Sequence, residues 1–221
     1  GVARSPERPH MPPETLAAIV ADMPPHYAVP LQTMFGAHLR LGELIALQRG
    51  DFDPSTGSIL VERQAISVDG EVQITPTKTG TARPVTLPPS VAAMLVDHLA
   101  RSTGFGRSPM FTKDGLQSLT RSQLQQAWRR AAERLGLPKY HLHDIRHSSL
   151  TTAAQAGATT RELMARAGHR TSAAAMIYQH VAEERNAVLA DRMDALAWGS
   201  MGDASGTPVA RGALPLAGEH A

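Results

Sequence analysis

The chain has 221 residues, of which 42% are hydrophobic and 19% are charged. That length and balance predict one ordinary domain or two small ones with a buried core, and they exclude a disordered or fibrous chain. No apolar run approaches the roughly 20 residues that cross a bilayer, and no secretory leader is evident at the start. The sequence has no cysteine, which excludes disulfides, thiolate zinc sites and a cysteine nucleophile and agrees with a reducing compartment.

The formal net charge is only +2, but 19 of the 22 basic residues are arginines. The planar guanidinium group binds phosphate through two parallel hydrogen bonds, which the lysine ammonium cannot do. Net charge by itself says little about nucleic acid, because the clustering of charges decides binding. Aromatic residues make up only 4% of the chain, which argues against a base-stacking platform for single strands.

The start of the chain is predicted to be a short arm followed by helices. Residues 1–13 hold four prolines and two arginines, a composition typical of a linker or arm that follows another domain. From Glu14 the apolar spacing predicts a helix, which Pro24 ends. A second helical stretch is predicted over Val29–Gln48, and Gly36 is expected to divide it into two helices.

Three short segments with β-branched residues follow: Ser58–Ile66, Val72–Thr77 and Ala82–Leu87. Asp69-Gly70, between the first two, is a strong hairpin signal. Lys78 lies between the last two, so we expect it at the tip of a second hairpin. The pattern predicts a small three-stranded antiparallel sheet inserted in a mainly helical protein, an α+β fold.

The remainder is predicted to be helical again. One helix should run from Pro88-Pro89-Ser90 to about Arg101, another over Ser122–Leu135, and three or four short ones from Asp144 to Trp198. Residues 199–221 are rich in Gly, Ala and Pro, which predicts a flexible C-terminal tail. Residues 14–198 are therefore expected to form the folded domain.

Histidine, arginine and tyrosine concentrate in the last third of that domain. A metal site is one interpretation, because His143 and His147 have the i, i+4 spacing of two ligands on one helical face. Arg146 lies between them, however, and no nearby glutamate fills the position of a base. A positively charged arginine disfavours a metal dication beside it, so metal binding is the minority hypothesis.

Phosphate binding is the other interpretation. His143 and Arg146 are three residues apart, and a helix that begins near Asp144 would direct both side chains to one spot. Arg40 lies among apolar neighbours in LRLGELIAL, where a buried guanidinium needs a partner. A salt bridge between Arg40 and Glu43 or an aspartate explains that residue equally well, and Lys78 also fits an ordinary solvated turn lysine.

These residues resemble the motifs of the tyrosine recombinases, the phage integrase family. Arg40 in LRLGELIAL is similar to the family's first arginine motif, usually Gly-Leu-Arg followed by Glu-Leu. His38 stands where that glycine is usual, a departure that we attribute to local packing. Lys78 in TPTKTGTARPVTLP is similar to the family's β-hairpin lysine.

The remaining motifs of the family follow in order. His143 and Arg146 in HDIRHSSLT resemble the His-x-x-Arg box. His169 in AGHRTSAAAMIYQHV matches the Gly-His position, and Tyr178 follows nine residues later, where the nucleophilic tyrosine is expected. The resemblance covers roughly residues 14–198, and six motifs in order with matching spacing make it specific. It implies that residues 14–198 are a catalytic domain.

The resemblance implies site-specific DNA recombination through a 3′-phosphotyrosyl intermediate. It assigns nucleophilic attack to Tyr178, acid–base work to His143, and protonation of the leaving 5′-oxygen to Lys78. Arg40 and Arg146 would bind the non-bridging oxygens, and His169 would add a hydrogen bond. No cofactor and no metal are implied. The open alternatives are a type IB topoisomerase, a catalytically silent DNA-binding module and a metal-dependent hydrolase.

The expected partners are double-stranded DNA, further copies of the chain in a tetramer on DNA, and accessory DNA-bending or directionality factors, with no membrane. The expected location is the cytoplasm, in a bacterial or phage-encoded protein associated with the nucleoid. The amphipathic helix predicted over Glu184–Trp198 either completes its own domain or packs on a neighbouring subunit. Six basic residues are lower-ranked candidates for phosphate contacts: Arg63, Arg83, Arg129, Arg130, Lys139 and Arg170.

Overall fold

The computed structural model describes residues 10–69, 71–113, 115, 117–169, 171 and 193. The chain divides into two compact units, residues 1–181 and 182–221, and every helix and strand with defined bounds belongs to the first. Tyr178, Arg170 and most of the predicted arm lie outside the described residues, as do nearly all of the predicted final helix and the whole predicted tail. None of the described helices is long and apolar enough to cross a membrane.

The first three helices confirm the helix predicted from Glu14 and the predicted division of the second helical stretch at Gly36. They are α1 (Pro13–Asp22), α2 (Ala28–Gly36) and α3 (Leu41–Ala46). Proline at the first turn of α1 suits a helix start, because the N–H that proline lacks would have no intrahelical partner at that position. Gly36 ends α2 as expected, and the short loop to α3 carries residues 37–40.

The predicted strands are present, but they form two antiparallel sheets. The five strands are β1 (Phe52–Asp53), β2 (Ser58–Val61), β3 (Arg63–Val68), β4 (Glu71–Pro76) and β5 (Arg83–Thr86). The three-stranded sheet has the order β1-β2-β5, and β3 and β4 form a separate two-stranded hairpin. The segment predicted as one strand over Ser58–Ile66 is divided at Glu62, so its two halves pair with different partners.

Of the two predicted hairpin turns, the structure confirms the one at Asp69 and contradicts the one at Lys78. Val68 pairs with Glu71, and Asp69 has a φ of +50°, so β3 and β4 form the hairpin that the Asp69-Gly70 signal predicted. Lys78 does not lie at a hairpin tip, because β4 pairs with β3 while β5 pairs with β2. Its turn, closed by the Gly80 amide on the Thr77 carbonyl at 2.8 Å, connects the two sheets instead.

The later helices are α4 (Pro89–Arg101), α5 (Arg121–Arg134), α6 (Asp144–Gln155) and α7 (Thr160–Ala167). The hydroxyls of Thr120 and Thr159 accept from the third amides of α5 and α7, which fixes where these helices begin. Gly168 ends α7 with a φ of +63°, a left-handed conformation that favours glycine. Of the short helices predicted after Asp144, α6 and α7 lie within the described residues.

One large apolar cluster joins α1, α2, α3, the three-stranded sheet, α4 and α5. A small cluster between α6 and α7 contains Leu150, Ala154, Leu163 and Ala167. Helix α3 lies directly against β3. A Cβ at Gly42 would come within 2.6 Å of the Ala65 carbonyl oxygen, so only glycine permits this approach. This contact fixes the position of α3, whose first turn carries Arg40 and Glu43.

Candidate active site

A fully buried carboxylate, Glu43, lies at the centre of the candidate site. Its Oε1 accepts from Nη1 of Arg40 at 2.9 Å, and its Oε2 accepts from the Arg40 amide at 2.9 Å. Arg83 donates to both oxygens, and Arg146 Nη1 lies 4.0 Å from Oε2. Burial alone would raise the pKa of Glu43, but the hydrogen bonds and charge of Arg83, the Arg40 amide and the charge of Arg146 lower it below its ordinary value.

Arg40 lies at the N-terminus of α3, and one edge of its guanidinium is bound to Glu43. The salt bridge that the sequence allowed is therefore present, while the side chain remains 25% exposed. This arrangement holds the group in one orientation while leaving it accessible to an anion.

Arg146 lies in the first turn of α6 and is buried. Its Nη1 donates to the carbonyl of His38, and its Nη2 donates to the carbonyl of Ala167 at 2.6 Å. Nη2 also lies 3.3 Å from Nε2 of His169. The guanidinium therefore links three segments: the loop before α3, the helix α6 that carries it, and the end of α7.

His169 follows Gly168 directly, and its amide donates to the Met164 carbonyl at 3.0 Å. Burial, then the charges of Arg146, Arg40 and Arg83, lower the pKa of His169 to about 4. The imidazole is consequently neutral near pH 7. Because an arginine nitrogen only donates, Nε2 accepts from Arg146 and the ring proton is on Nδ1.

The structure brings together three of the six predicted site residues: Arg40, Arg146 and His169. His143 lies immediately before α6, one turn from Arg146, and its side chain is exposed. The side chain of Lys78 is exposed on the turn that connects the sheets. Tyr178 is the sixth predicted residue and lies outside the described residues.

Arg83 is a component of the site that the sequence analysis gives only as a lower-ranked candidate for a phosphate contact. The structure corrects this, because Arg83 is buried and its Nε donates to the Arg166 carbonyl at 2.9 Å. The strand pattern contains a signal for it: in β5 Arg83 and Val85 are buried while Pro84 and Thr86 are exposed. Glu43 was likewise considered only as a partner of Arg40.

The other basic candidates differ in exposure. Arg63 is bound to Asp51 and Glu62, which neutralise it. Arg129, Arg130 and Lys139 are exposed and remain available for contacts at the surface.

His38, expected to be a local packing difference, has a φ of +52° and is 5% exposed. Side chains are disfavoured in this left-handed conformation by roughly 1–2 kcal/mol. This explains why glycine suits the position before the Leu-Arg pair. The ring of His38 is bound to Ser149 and Arg166.

The charges of the site are unequal. Three guanidiniums, those of Arg40, Arg83 and Arg146, surround the single carboxylate of Glu43, so the site carries excess positive charge. A partly buried cluster of this kind favours an anion, and guanidiniums match the geometry of phosphate oxygens. Among the described residues, no three His, Asp or Glu side chains come together as a metal-binding group.

The comparisons with known proteins agree with this geometry. The model of the phage integrase family matches residues 13–185. The integrase of Mycobacterium phage D29 is 38% identical over 191 residues, which cover 84% of this chain and 51% of that protein. The integrase of Mycobacterium phage L5 is 37% identical, with 84% and 52% covered. The chain belongs to the phage integrase family, and it spans about half the length of these relatives.

Solved structures confirm the fold. The Tn1549 transposon integrase in complex with transposon right end DNA is similar with a TM-score of 0.71 and 17% identity, over 88% of this chain and 67% of that one. The catalytic domain of bacteriophage HP1 integrase has a TM-score of 0.59 and 17% identity, over 90% of this chain and all of that domain. The predicted α+β catalytic-domain fold of the tyrosine recombinases is thereby confirmed.

Proposed function

We propose that this chain is the catalytic part of a site-specific recombinase that cleaves and rejoins duplex DNA through a 3′-phosphotyrosyl intermediate. The observation that carries the proposal is the meeting of Arg40, Arg146 and His169 in one positively charged site. Arg40 lies more than 100 positions from Arg146 in sequence, and the fold brings both side chains to the Glu43 carboxylate, with His169 beside Arg146.

In the proposed reaction the Tyr178 oxygen attacks the phosphorus of a phosphodiester. A bond forms between that oxygen and phosphorus while the bond from phosphorus to the 5′-oxygen breaks. Tyrosine has an ordinary pKa of about 10, so its proton must leave during the attack. His143 accepts it, and Lys78 supplies a proton to the departing 5′-oxygen. The new ester retains the energy of the old one, so rejoining needs no nucleotide cofactor.

The two arginines stabilise the charge that gathers on the non-bridging oxygens. Arg40 supports this role because its orientation is fixed by Glu43 while a quarter of its side chain stays exposed. Arg146 is held by two carbonyls, so it does not need to reorganise when the charge develops. His169 lies beside Arg146 and would add a hydrogen bond to the same phosphate.

The partner in this proposal is double-stranded DNA. The titles of the Tn1549 transposon integrase structures describe complexes of that protein with DNA, which supports DNA as the partner here. We further propose a tetramer of this chain on DNA, assisted by DNA-bending or directionality factors. The proposed location is the nucleoid region of a bacterial cytoplasm.

The experiment is covalent trapping on nicked DNA. A pool of duplexes, each with a nick beside a randomised segment, is incubated with the chain, and complexes that survive denaturing detergent are recovered and sequenced. The short strand released at the nick diffuses away, so the adduct accumulates. The proposal predicts a recurring recovered sequence that forms adduct in the presence of EDTA. Absence of any detergent-resistant complex would contradict the proposal.

A further inference from the structure

The backbone of His38 is unusual for a residue with a side chain. Its φ of +52° lies in the left-handed region, and its side chain is buried in the loop between α2 and α3. A strained backbone persists only where surrounding contacts maintain it. The contacts of the His38 imidazole ring must therefore maintain this backbone conformation.

The direction of each hydrogen bond around the ring is determined. Nε of Arg166 lies 2.9 Å from Nε2 of His38, and an arginine nitrogen only donates, so Nε2 must accept. The ring proton is then on Nδ1, which donates to Oγ of Ser149 at 2.9 Å. Ser149 directs its own proton to the carbonyl of Arg146 at 2.9 Å.

The chain of bonds closes on itself. Nη1 of Arg146 donates back to the main-chain carbonyl of His38. Arg166 also donates through Nη2 to the carbonyls of Gly36 at 3.1 Å and Thr86 at 3.0 Å. The bonds thus connect α2, the loop before Arg40, α6, α7 and the end of β5.

The neutral state of the His38 imidazole supports this closed network of hydrogen bonds. Burial, then the charges of Arg166, Arg146 and Arg83, lower the pKa of His38 to about 3. The imidazole stays neutral in the ordinary range of pH. A second ring proton would point at the Arg166 guanidinium and break the arrangement.

We propose that His38 is a positioning residue that fixes Arg146 at both its carbonyl and its guanidinium, and so sets its place relative to Arg40. The inference rests on the function proposed above. His38 is two residues from Arg40 in the same loop, so one group controls the spacing of both arginines. A displacement of about 1 Å in such a site costs on the order of 100-fold in rate.

The first test measures single-turnover cleavage of a nicked duplex recovered from the randomised pool. His38→Gly relieves the left-handed backbone and removes the ring, and Ser149→Ala removes only the bridging hydroxyl. Each should slow cleavage on the order of 10- to 100-fold, while the DNA dissociation constant, measured by fluorescence anisotropy, changes less than about threefold. Thr151→Val is the matched control, because Thr151 is buried in α6 and bonds only to the His147 carbonyl among the contacts described.

The double variant His38→Gly/Ser149→Ala decides whether the two groups act through one path. Its defect should be close to that of the slower single variant, because either change breaks the same connection. Defects that multiply would overturn the proposal, as would wild-type cleavage by His38→Gly. Thermal unfolding of each variant identifies any that fail to fold, and for those the test is made with His38→Asn, since Asn tolerates positive φ.

A second measurement needs no DNA cleavage. Nitrogen NMR of histidine-labelled protein should show His38 with its proton on Nδ1 and no titration between pH 7 and about 5, and Ser149→Ala should shift that Nδ1–H signal. A His38 imidazole that titrates near its ordinary pKa of about 6.5 would overturn the proposed network of hydrogen bonds. Wild-type protein that shows this signal but forms no adduct would contradict the proposed function instead.

Discussion

Arg83 donates to both carboxylate oxygens of Glu43, through Nη2 to Oε2 at 2.8 Å and through Nη1 to Oε1 at 3.2 Å. Both side chains are buried, so each charge needs a counterion, and Glu43 is the counterion of Arg83. The pair joins β5 to α3, and the Nε of Arg83 extends the connection to the carbonyl of Arg166 in α7. Gly168 permits this close approach of Arg83 to the end of α7, because a Cβ at residue 168 would lie 3.0 Å from Nη1 of Arg83.

The buried pair leads to a prediction about stability. Glu43→Gln leaves the Arg83 guanidinium buried without a counterion, and we expect the free energy of unfolding to fall by about 3–5 kcal/mol. Urea unfolding measures this change. Asp97→Asn is the control, since the Arg101–Asp97 pair is exposed and its loss should cost less than about 1 kcal/mol. A loss below about 1 kcal/mol for Glu43→Gln would show that the carboxylate is not the counterion of Arg83.

A second prediction concerns the pH dependence of stability. The pKa of His38 is lowered to about 3 when the chain is folded, so the unfolded chain binds more protons between about pH 6.5 and 3. His38 therefore leaves stability intact above pH 6.5 and reduces it as the pH falls, by about 2 kcal/mol at pH 5. His169, with a pKa of about 4, acts in the same direction.

Urea unfolding at pH 7.5 and pH 5 measures the effect of His38. The decrease in the free energy of unfolding should be smaller by about 2 kcal/mol in His38→Asn than in the wild type. An equal decrease in both proteins would mean that His38 is protonated in the folded state.

A third prediction concerns Arg146. Its two terminal nitrogens donate to carbonyls of different segments, those of His38 and Ala167, and a single ammonium cannot span both. Arg146→Lys should slow strand cleavage on the order of 100-fold or more. The rate of adduct formation on nicked DNA checks this, with Arg101→Lys at the surface as the control. Cleavage by Arg146→Lys within a few-fold of the wild type would show that Arg146 has only a structural role.

A fourth prediction tests Lys78, whose side chain is exposed on the turn between the two sheets. If Lys78 protonates the 5′-oxygen, Lys78→Ala should be severely slow on normal DNA. A bridging 5′-phosphorothiolate should restore most of the rate, because a thiol, with a pKa of about 8.5, leaves without needing that proton. Arg40→Ala, whose proposed partners are the non-bridging oxygens, should show no such rescue. Equal defects of Lys78→Ala on both substrates would leave Lys78 an ordinary turn lysine.

The fold class and the arginine-histidine site could be predicted because their signals are local. The box around His143 and Arg146 and the segment LRLGELIAL that contains Arg40 are each recognisable from a few neighbouring residues. Some helix ends were similarly predictable from proline and glycine, as at Pro89 and Gly36.

The pairing of distant segments was not predictable in the same way. The division at Glu62 sends β2 and β3 to different sheets, and turn residues do not specify which strands pair. The partner of Arg83 depends on β5 lying beside α3 and α7, which is a property of the whole fold. The detailed role of His38 was not predictable for a related reason, because neither its positive φ nor its bonds to Ser149 and Arg166 follow from its neighbours in sequence.

The central claim is that Tyr178 forms the covalent bond to DNA, and mass spectrometry of the trapped adduct tests it most directly. After digestion of protein and DNA, the account predicts a nucleotide attached through its 3′-phosphate to the peptide that contains Tyr178. Tyr178→Phe should form no adduct and should bind the same duplex with an affinity near that of the wild type, because only the hydroxyl is removed. A nucleotide attached to any other residue, or adduct at the wild-type level in Tyr178→Phe, would contradict the account.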